Sequence, residues 1–205
     1  MLEHAYGYDD VAIVPGEFTI NPELADTKFK INELEFDLPI LASAMDAVVS
    51  PSFAVDFSKK GGLGVLNLEG IYTKYEDYSE VLESIISSDP DKSTSIMQQV
   101  YNQEISEDLI AKRIQEIKSK NVMCAVSITP ANTKRLSPIA IEAGADVIVV
   151  QSTVTTPRHF SRSITGLNMT ELKKQIKVPL IVGNCVSYNV ALEFMHTGVD
   201  GNYRF

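Results

Sequence analysis

Residues Leu38–Pro51, LPILASAMDAVVSP, pass from apolar to chemically specific at a single point. Pro39–Leu41 reads as a short buried strand, Ser43, Met45 and Asp46 fall where that strand ends, and Ser50 followed by Pro51 predicts the N-cap and first turn of a helix. Strand, polar tip and helix make one βα unit. Beyond Lys60 the run Gly61–Leu66, GGLGVL, predicts a glycine helix stop leading straight into the next buried strand, so the unit repeats.

The repetition continues along the chain. After the second strand, Tyr75, Tyr78, Val81, Leu82, Ile85 and Ile86 recur at helical spacing, and Ile110, Ile114 and Ile117 do so again behind a cap at Ser106. The reading is two amphipathic helices whose stripes belong to the core. Met123–Ile128 is a third strand, Ser137–Ala143 a short helix stopped by Gly144, and Asp146–Val150 (DVIVV) a fourth strand, β-branched enough to be buried on both faces. Its tip is Gln151, Ser152 and Thr153. A helix capped near Asn168 or Thr170 runs to about Lys177, Pro179–Val182 is the fifth strand with the tip Gly183, Asn184, Cys185, and Tyr188–Thr197 is a helix stopped by Gly198. Gly201 would open a sixth strand. Ahead of this series, Lys28–Phe36 alternates like a hairpin expected to plug or flank one end of the fold, and Tyr6–Pro15 (YGYDDVAIVP) reads as a peripheral strand with a polar turn at Asp9 and Asp10.

Alternating strands and helices imply an α/β fold with a parallel sheet and right-handed crossovers. A doubly wound sheet would want a phosphate-binding glycine turn after an early strand, whereas GGLGVL places its glycines before the strand. That favours a (β/α)8 TIM barrel of which about the first five strands are present. In such a barrel the tips share one face, so Ser43 and Met45, Gln151 to Thr153, and Asn184 are expected to converge on one site.

Composition narrows the function. With 205 residues, 44% hydrophobic and 22% charged, the chain can bury a full core and reads as one domain. A net charge of -9 disfavours a nucleic-acid partner, which needs clustered Lys and Arg. No signal peptide and no membrane-length apolar run is visible, so a cytoplasmic protein without a membrane partner is expected. The two cysteines, Cys124 and Cys185, lie on or beside strands and read as reduced packing residues.

In order, YDDVAIVP, PILASAMDAVVS, GGLGVLN, AGADVIVVQST and VGNCVSYNVALEFMHTGVDG resemble the motifs of the IMP dehydrogenase/GMP reductase family, the last two most like its short branch that lacks the CBS regulatory module. The resemblance implies a purine-nucleotide oxidoreductase that oxidises IMP to XMP with NAD, or runs as a GMP reductase with NADPH. It implies that Ser43 and Met45 contact the purine nucleotide, that Gln151, Ser152 and Thr153 lie along the nicotinamide cofactor (NAD or NADP), and that Asn184 lies near the substrate. It also implies a homotetramer of intact barrels and a monovalent cation held by a later loop. The flavin-dependent nitronate monooxygenases share the GGLG pattern, but YDDVAIVP and VGNCVSY argue against them.

Three departures from the family pattern stand out. Gln151 occupies the place where its dehydrogenases usually carry Asp, which keeps one acceptor and loses the charge. Between the second and third strands there is room for two helices and no CBS pair. The family's nucleophilic Cys loop, phosphate segment and flap follow the sixth strand, where this sequence finishes as NYRF, and Cys185 is on the wrong strand to substitute. The expectation is therefore a C-terminally truncated barrel, residues 1–38 being an extension and hairpin and 39–205 the first five units. No catalytic residue and no metal ligand is assigned to it. Such a piece is expected to be inactive, either a fragment or a non-catalytic nucleotide-binding remnant.

Overall fold

The computed structural model describes residues 6–157 and 167–203. A short antiparallel hairpin, β1 (Phe29–Ile31) and β2 (Leu34–Phe36), precedes six parallel strands: β3 (Leu41–Ala42), β4 (Leu63–Asn67), β5 (Ala125–Ile128), β6 (Val147–Gln151), β7 (Leu180–Gly183) and β8 (Gly201–Tyr203). The parallel strands pair in chain order. Helix α1 (Pro51–Lys59) joins β3 to β4, and α2 (Tyr78–Ile86), α3 (Pro90–Tyr101) and α4 (Glu107–Lys118) lie between β4 and β5. Helices α5 (Thr133–Glu142), α6 (Met169–Gln175) and α7 (Tyr188–His196) complete the alternation. The sheet curls as part of a TIM-barrel wall. Five strands are expected from the sequence, but Gly201–Tyr203 pairs with β7 as a sixth, so among the described residues the sheet runs from β3 at one edge to β8 at the other.

Local chemistry sets the element ends. The Ser50 hydroxyl accepts the Phe53 N–H at 3.0 Å with Pro51 in the first turn, and Asn168 caps α6 by accepting the Glu171 N–H at 3.1 Å. Gly61 ends the α1 turn at φ +92°, a conformation that costs an L side chain strain, and a Cβ there would sit 2.7 Å from Asp37 Cβ.

Strand alternation builds two cores. Leu63 and Val65 of β4, Ala125 of β5, Val147 and Val149 of β6 and Ile181 of β7 face the concave side, where Ile31 and Phe36 of the hairpin join them. The hairpin thus plugs the end where the strands begin. On the convex side Leu66, Val126, Ile148, Val150 and Val182 pack against Ile110, Ile114 and Ile117 of α4, Leu136 of α5 and Phe194 of α7. Cys124 and Cys185 are both buried there as free thiols.

Three expectations are corrected. The β4–β5 connection holds three helices, not two. The α2 stripe is not core: Val81, Leu82 and Ile85 are half-buried and Ile86 is 76% exposed, because α2 packs on α3 rather than over the sheet. Residues 6–15 form no strand; Tyr8–Asp10 is a single 3-10 turn in which Asp10 accepts the Gly7 N–H, and residues 9–15 lie exposed. Among the described residues no helix is long and apolar enough to cross a membrane.

Candidate active site

At the carboxyl ends of the strands a cavity of about 440 Å³ is lined by Ala44, Asn67, Ser127, Ile128, Thr129, Gln151, Ser152, Thr153 and Asn184. Strand periodicity explains its polar floor. Asn67 follows Leu63 and Val65 on one face of β4, Ser127 follows Ala125 on β5, and Gln151 follows Val147 and Val149 on β6, each stepping by two into the concave side. The apolar interior therefore ends in a polar layer where ligands of parallel barrels bind.

The tips are fastened to one another. Ser152 N–H donates to Gly183 O and Asn184 N–H to Ser152 O, both at 3.0 Å, while the buried Thr155 hydroxyl donates to Gly183 O at 2.6 Å. The Asn184 side-chain amide donates to Thr153 O at 3.4 Å. Gln151 keeps its side-chain oxygen buried without a hydrogen-bond partner, an acceptor with unspent capacity beside the cavity.

Gln151, Ser152, Thr153 and Asn184, named from three adjacent positions and one distant one, thus share a single cavity wall. Ser43 and Met45 do not line it. They flank Ala44, which does; Ser43 is half-buried, and Met45 is 52% exposed with its backbone stitching the turn through Ser43 O, Val48 N–H and Val49 N–H.

Two carboxylates hold the site together: Asp46, which the sequence places at the first strand tip without a role, and Glu69, which it does not single out. Asp46, buried behind Ala44, accepts the Ile71 N–H at 2.8 Å and the Tyr101 hydroxyl at 2.6 Å on Oδ2, and the Asn67 amide at 3.2 Å on Oδ1. The Tyr72 hydroxyl donates to its backbone oxygen at 3.0 Å. Gly70 is required here, since a Cβ would fall 1.9 Å from Asp46 Oδ1. Burial, then the charge of Asp46, pushes the Tyr72 phenol up to about 12. Burial foremost, then the bond to Asp46, raises Tyr101 as well. Glu69 spans the next gap, accepting the Thr129 N–H at 2.5 Å and the Asn132 amide at 2.7 Å. The alternation of β4 and β5 could have pointed to Asn67 and Ser127; Asp46 and Glu69 act on partners remote in sequence and leave no local signal.

Neither cysteine lines this cavity, and both are buried. Burial pushes the Cys124 thiol up to about 12, and burial likewise raises Cys185, whose sulfur faces Val182 O.

Comparison with known proteins adds to this geometry. A model of the IMP dehydrogenase / GMP reductase domain matches residues 5–202. An uncharacterized oxidoreductase of Mycolicibacterium smegmatis is 30% identical over 201 residues, which are 96% of this chain and 54% of that protein. The inosine-5'-monophosphate dehydrogenase of Borreliella burgdorferi is 26% identical, with 98% of this chain and 53% of that one covered. The crystal structure of an IMP dehydrogenase/GMP reductase-like protein from Corynebacterium glutamicum matches with a TM-score of 0.87 at 31% identity, covering 95% of this chain and 52% of that chain. The chain spans about half the length of the curated relatives it matches.

Proposed function

The chain belongs to the IMP dehydrogenase/GMP reductase family, and from that premise we propose that it carries the nucleotide-facing wall of a purine-nucleotide oxidoreductase, of the type that oxidises IMP with NAD. The observation that carries the reading is the polar layer of Asn67, Ser127, Gln151 to Thr153 and Asn184 around one 440 Å³ cavity, a size ordinary for small-ligand sites.

The residues suit a nicotinamide nucleotide. Gln151 holds an unspent buried acceptor, Ser152 and Thr153 follow it at the β6 tip, and Asn184 is tied to both by backbone and side-chain bonds. These four would orient the cofactor. When bound, nicotinamide supplies the hydride acceptor. Ser43 and Met45, on the turn beside Ala44, would contact the purine nucleotide, Met45 by packing its exposed side chain on the base.

Ligand-observed NMR on the 205-residue chain with IMP, GMP, NAD and NADPH in turn tests this. Saturation transfer to IMP and NAD is expected, weakened at least fivefold by Ser152→Ala with Asn184→Ala. A response to GMP and NADPH instead assigns the GMP reductase direction. Transfer to none of the four overturns the reading.

A further inference from the structure

Asn67 ends the inward-facing row of β4 and lines the cavity. Its side-chain oxygen accepts the Glu69 N–H at 3.0 Å, and its side-chain nitrogen donates to Asp46 Oδ1 at 3.2 Å. One partner can only donate and the other only accept. Turning the carboxamide over would set N–H against N–H and oxygen against oxygen, so the assignment of its two ends is forced. Asp46 cannot swing away to relax the constraint, because its other oxygen is held by the Ile71 N–H and the Tyr101 hydroxyl. The nitrogen carries a second hydrogen, and with the oxygen and first hydrogen held by the protein, that second N–H is the group left to the cavity.

The geometry points to Asp46 as a positioning residue that makes Asn67 present an N–H donor, never a carbonyl, to a hydrogen-bond acceptor on the bound nucleotide. The acceptor is a carbonyl oxygen or ring nitrogen, as a purine base or a nicotinamide carboxamide offers. This rests on the nucleotide-site reading above and adds the polarity of one contact to it.

Exchanging the two side chains separates positioning from mere structure. In Asp46→Asn the new carboxamide must give its oxygen to the Ile71 N–H, which sets its nitrogen against the nitrogen of Asn67. In the double variant D46N/N67D, the new carboxylate at position 67 accepts from both the residue-46 amide and the Glu69 N–H. Every internal bond is restored and the net charge is unchanged, but the N–H facing the cavity is gone.

The measurement is the melting temperature together with titrations of IMP and of NAD. D46N is expected to lower both stability and affinity. The exchange variant should melt within about two degrees of the parent chain yet bind at least tenfold more weakly. Asn67→Ala, which removes the donor without adding charge, should also bind at least tenfold more weakly, and it keeps the test decisive if the exchange variant does not fold. Loss confined to IMP places the acceptor on the purine; loss confined to NAD places it on the carboxamide. If the parent binds and either variant binds equally well, this inference alone falls. If the parent binds neither nucleotide, the nucleotide-site reading falls and takes this with it.

Discussion

Both ends of the parallel sheet are held by carboxylates, but the partners differ. Where the strands begin, the same device occurs twice. A glycine at positive φ ends a helix, and two residues later an aspartate opens the next strand: Gly144 with Asp146, and Gly198 with Asp200. Asp146 accepts the Cys124 N–H at 2.7 Å and pairs with Lys118, and Asp200 accepts the Leu180 N–H at 2.7 Å and pairs with Lys173, each lysine standing in the last turn of its helix. Where the strands end, Asp46 and Glu69 bind amides, backbone N–H groups and a phenol, and each ties one loop to the next. Each ion pair clamps the end of one helix to the start of the strand that follows it and the start of the strand after that; the neutral partners tie together the loops beside the cavity. The ion pairs sit at one end and the candidate ligand cavity at the other, the division expected of barrels.

The largest effect that could break this division is at Asp200. Its carboxylate also takes the Asn32 amide at 2.8 Å, so it joins β7, β8, α6 and the hairpin, and its side chain is only 11% exposed. Asp200→Ala strands the Lys173 ammonium and the Leu180 N–H, and should cost about 3 kcal/mol in urea unfolding. Nucleotide affinity of the folded fraction should not change; a tenfold loss of affinity would mean the two ends are coupled. Acid sharpens the test. Burial would raise the Asp200 carboxyl, but Lys173, the Leu180 N–H and Asn32 together outweigh it and hold the group below its ordinary value. Its contribution is therefore complete above the unfolded value of about 3.9 and disappears as pH falls through the lower folded value. The stability gap between the parent and Asp200→Asn should be full at pH 6 and close below about pH 4. A gap that persists at pH 2 would contradict the ion-pair account.

Asp146 is the smaller copy of the same device. It is 25% exposed and lacks the third partner, so Asp146→Ala should cost about 2 kcal/mol. If the cost equals or exceeds that at Asp200, the extra bond to the hairpin adds nothing. At the other end, Glu69→Gln keeps one acceptor of two and should lose only about 1 kcal/mol globally. Its mark should be local instead, a rise of about tenfold in hydrogen exchange at the Thr129 amide. Uniformly faster exchange across β5 would show that Glu69 holds the strand and not the loop.

How much of this could be read from the sequence follows the reach of each interaction. Gly61, Gly144 and Gly198 end helices within a few residues of their own signal, as Ser50 begins one, and the strand–helix alternation rests on short windows, so these were legible. Helix α3 was not, because PDKSTSIMQQVY buries only Val100 and shows a weak stripe; the capping pair Asp89 and Pro90 was the signal available for it. The α2 stripe misled because apolar periodicity says that a face is covered, not by what: here α3 and Arg113, stacked 4.7 Å from the Tyr78 ring, cover part of it. The cavity wall at Gln151 to Thr153 and Asn184 followed from strand ends alone. Asp46 could not, since its partners lie at 67, 71 and 101 and only the fold assembles them.

The smallest expected effect tests whether the helical pair α2–α3 belongs to the ligand end at all. Tyr101, the last residue of α3, reaches Asp46 at 2.6 Å, and Lys74 and Tyr75 bind the α3 terminus through Tyr101 O and Val100 O at 3.1 Å each. Tyr101→Phe removes one of three donors to the Asp46 carboxylate and leaves the Ile71 and Asn67 bonds in place, so stability should fall by about 0.5–1 kcal/mol. Alkaline titration followed by tyrosine absorbance should lose one raised phenol in this variant, while that of Tyr72, near 12, remains. If Asp46 is held firmly enough by its remaining partners, IMP and NAD titrations will match those of the parent. A fivefold loss with the fold intact would instead make α3 part of the site's support, because the phenol would then be needed to keep Asp46, and through it Asn67, in register.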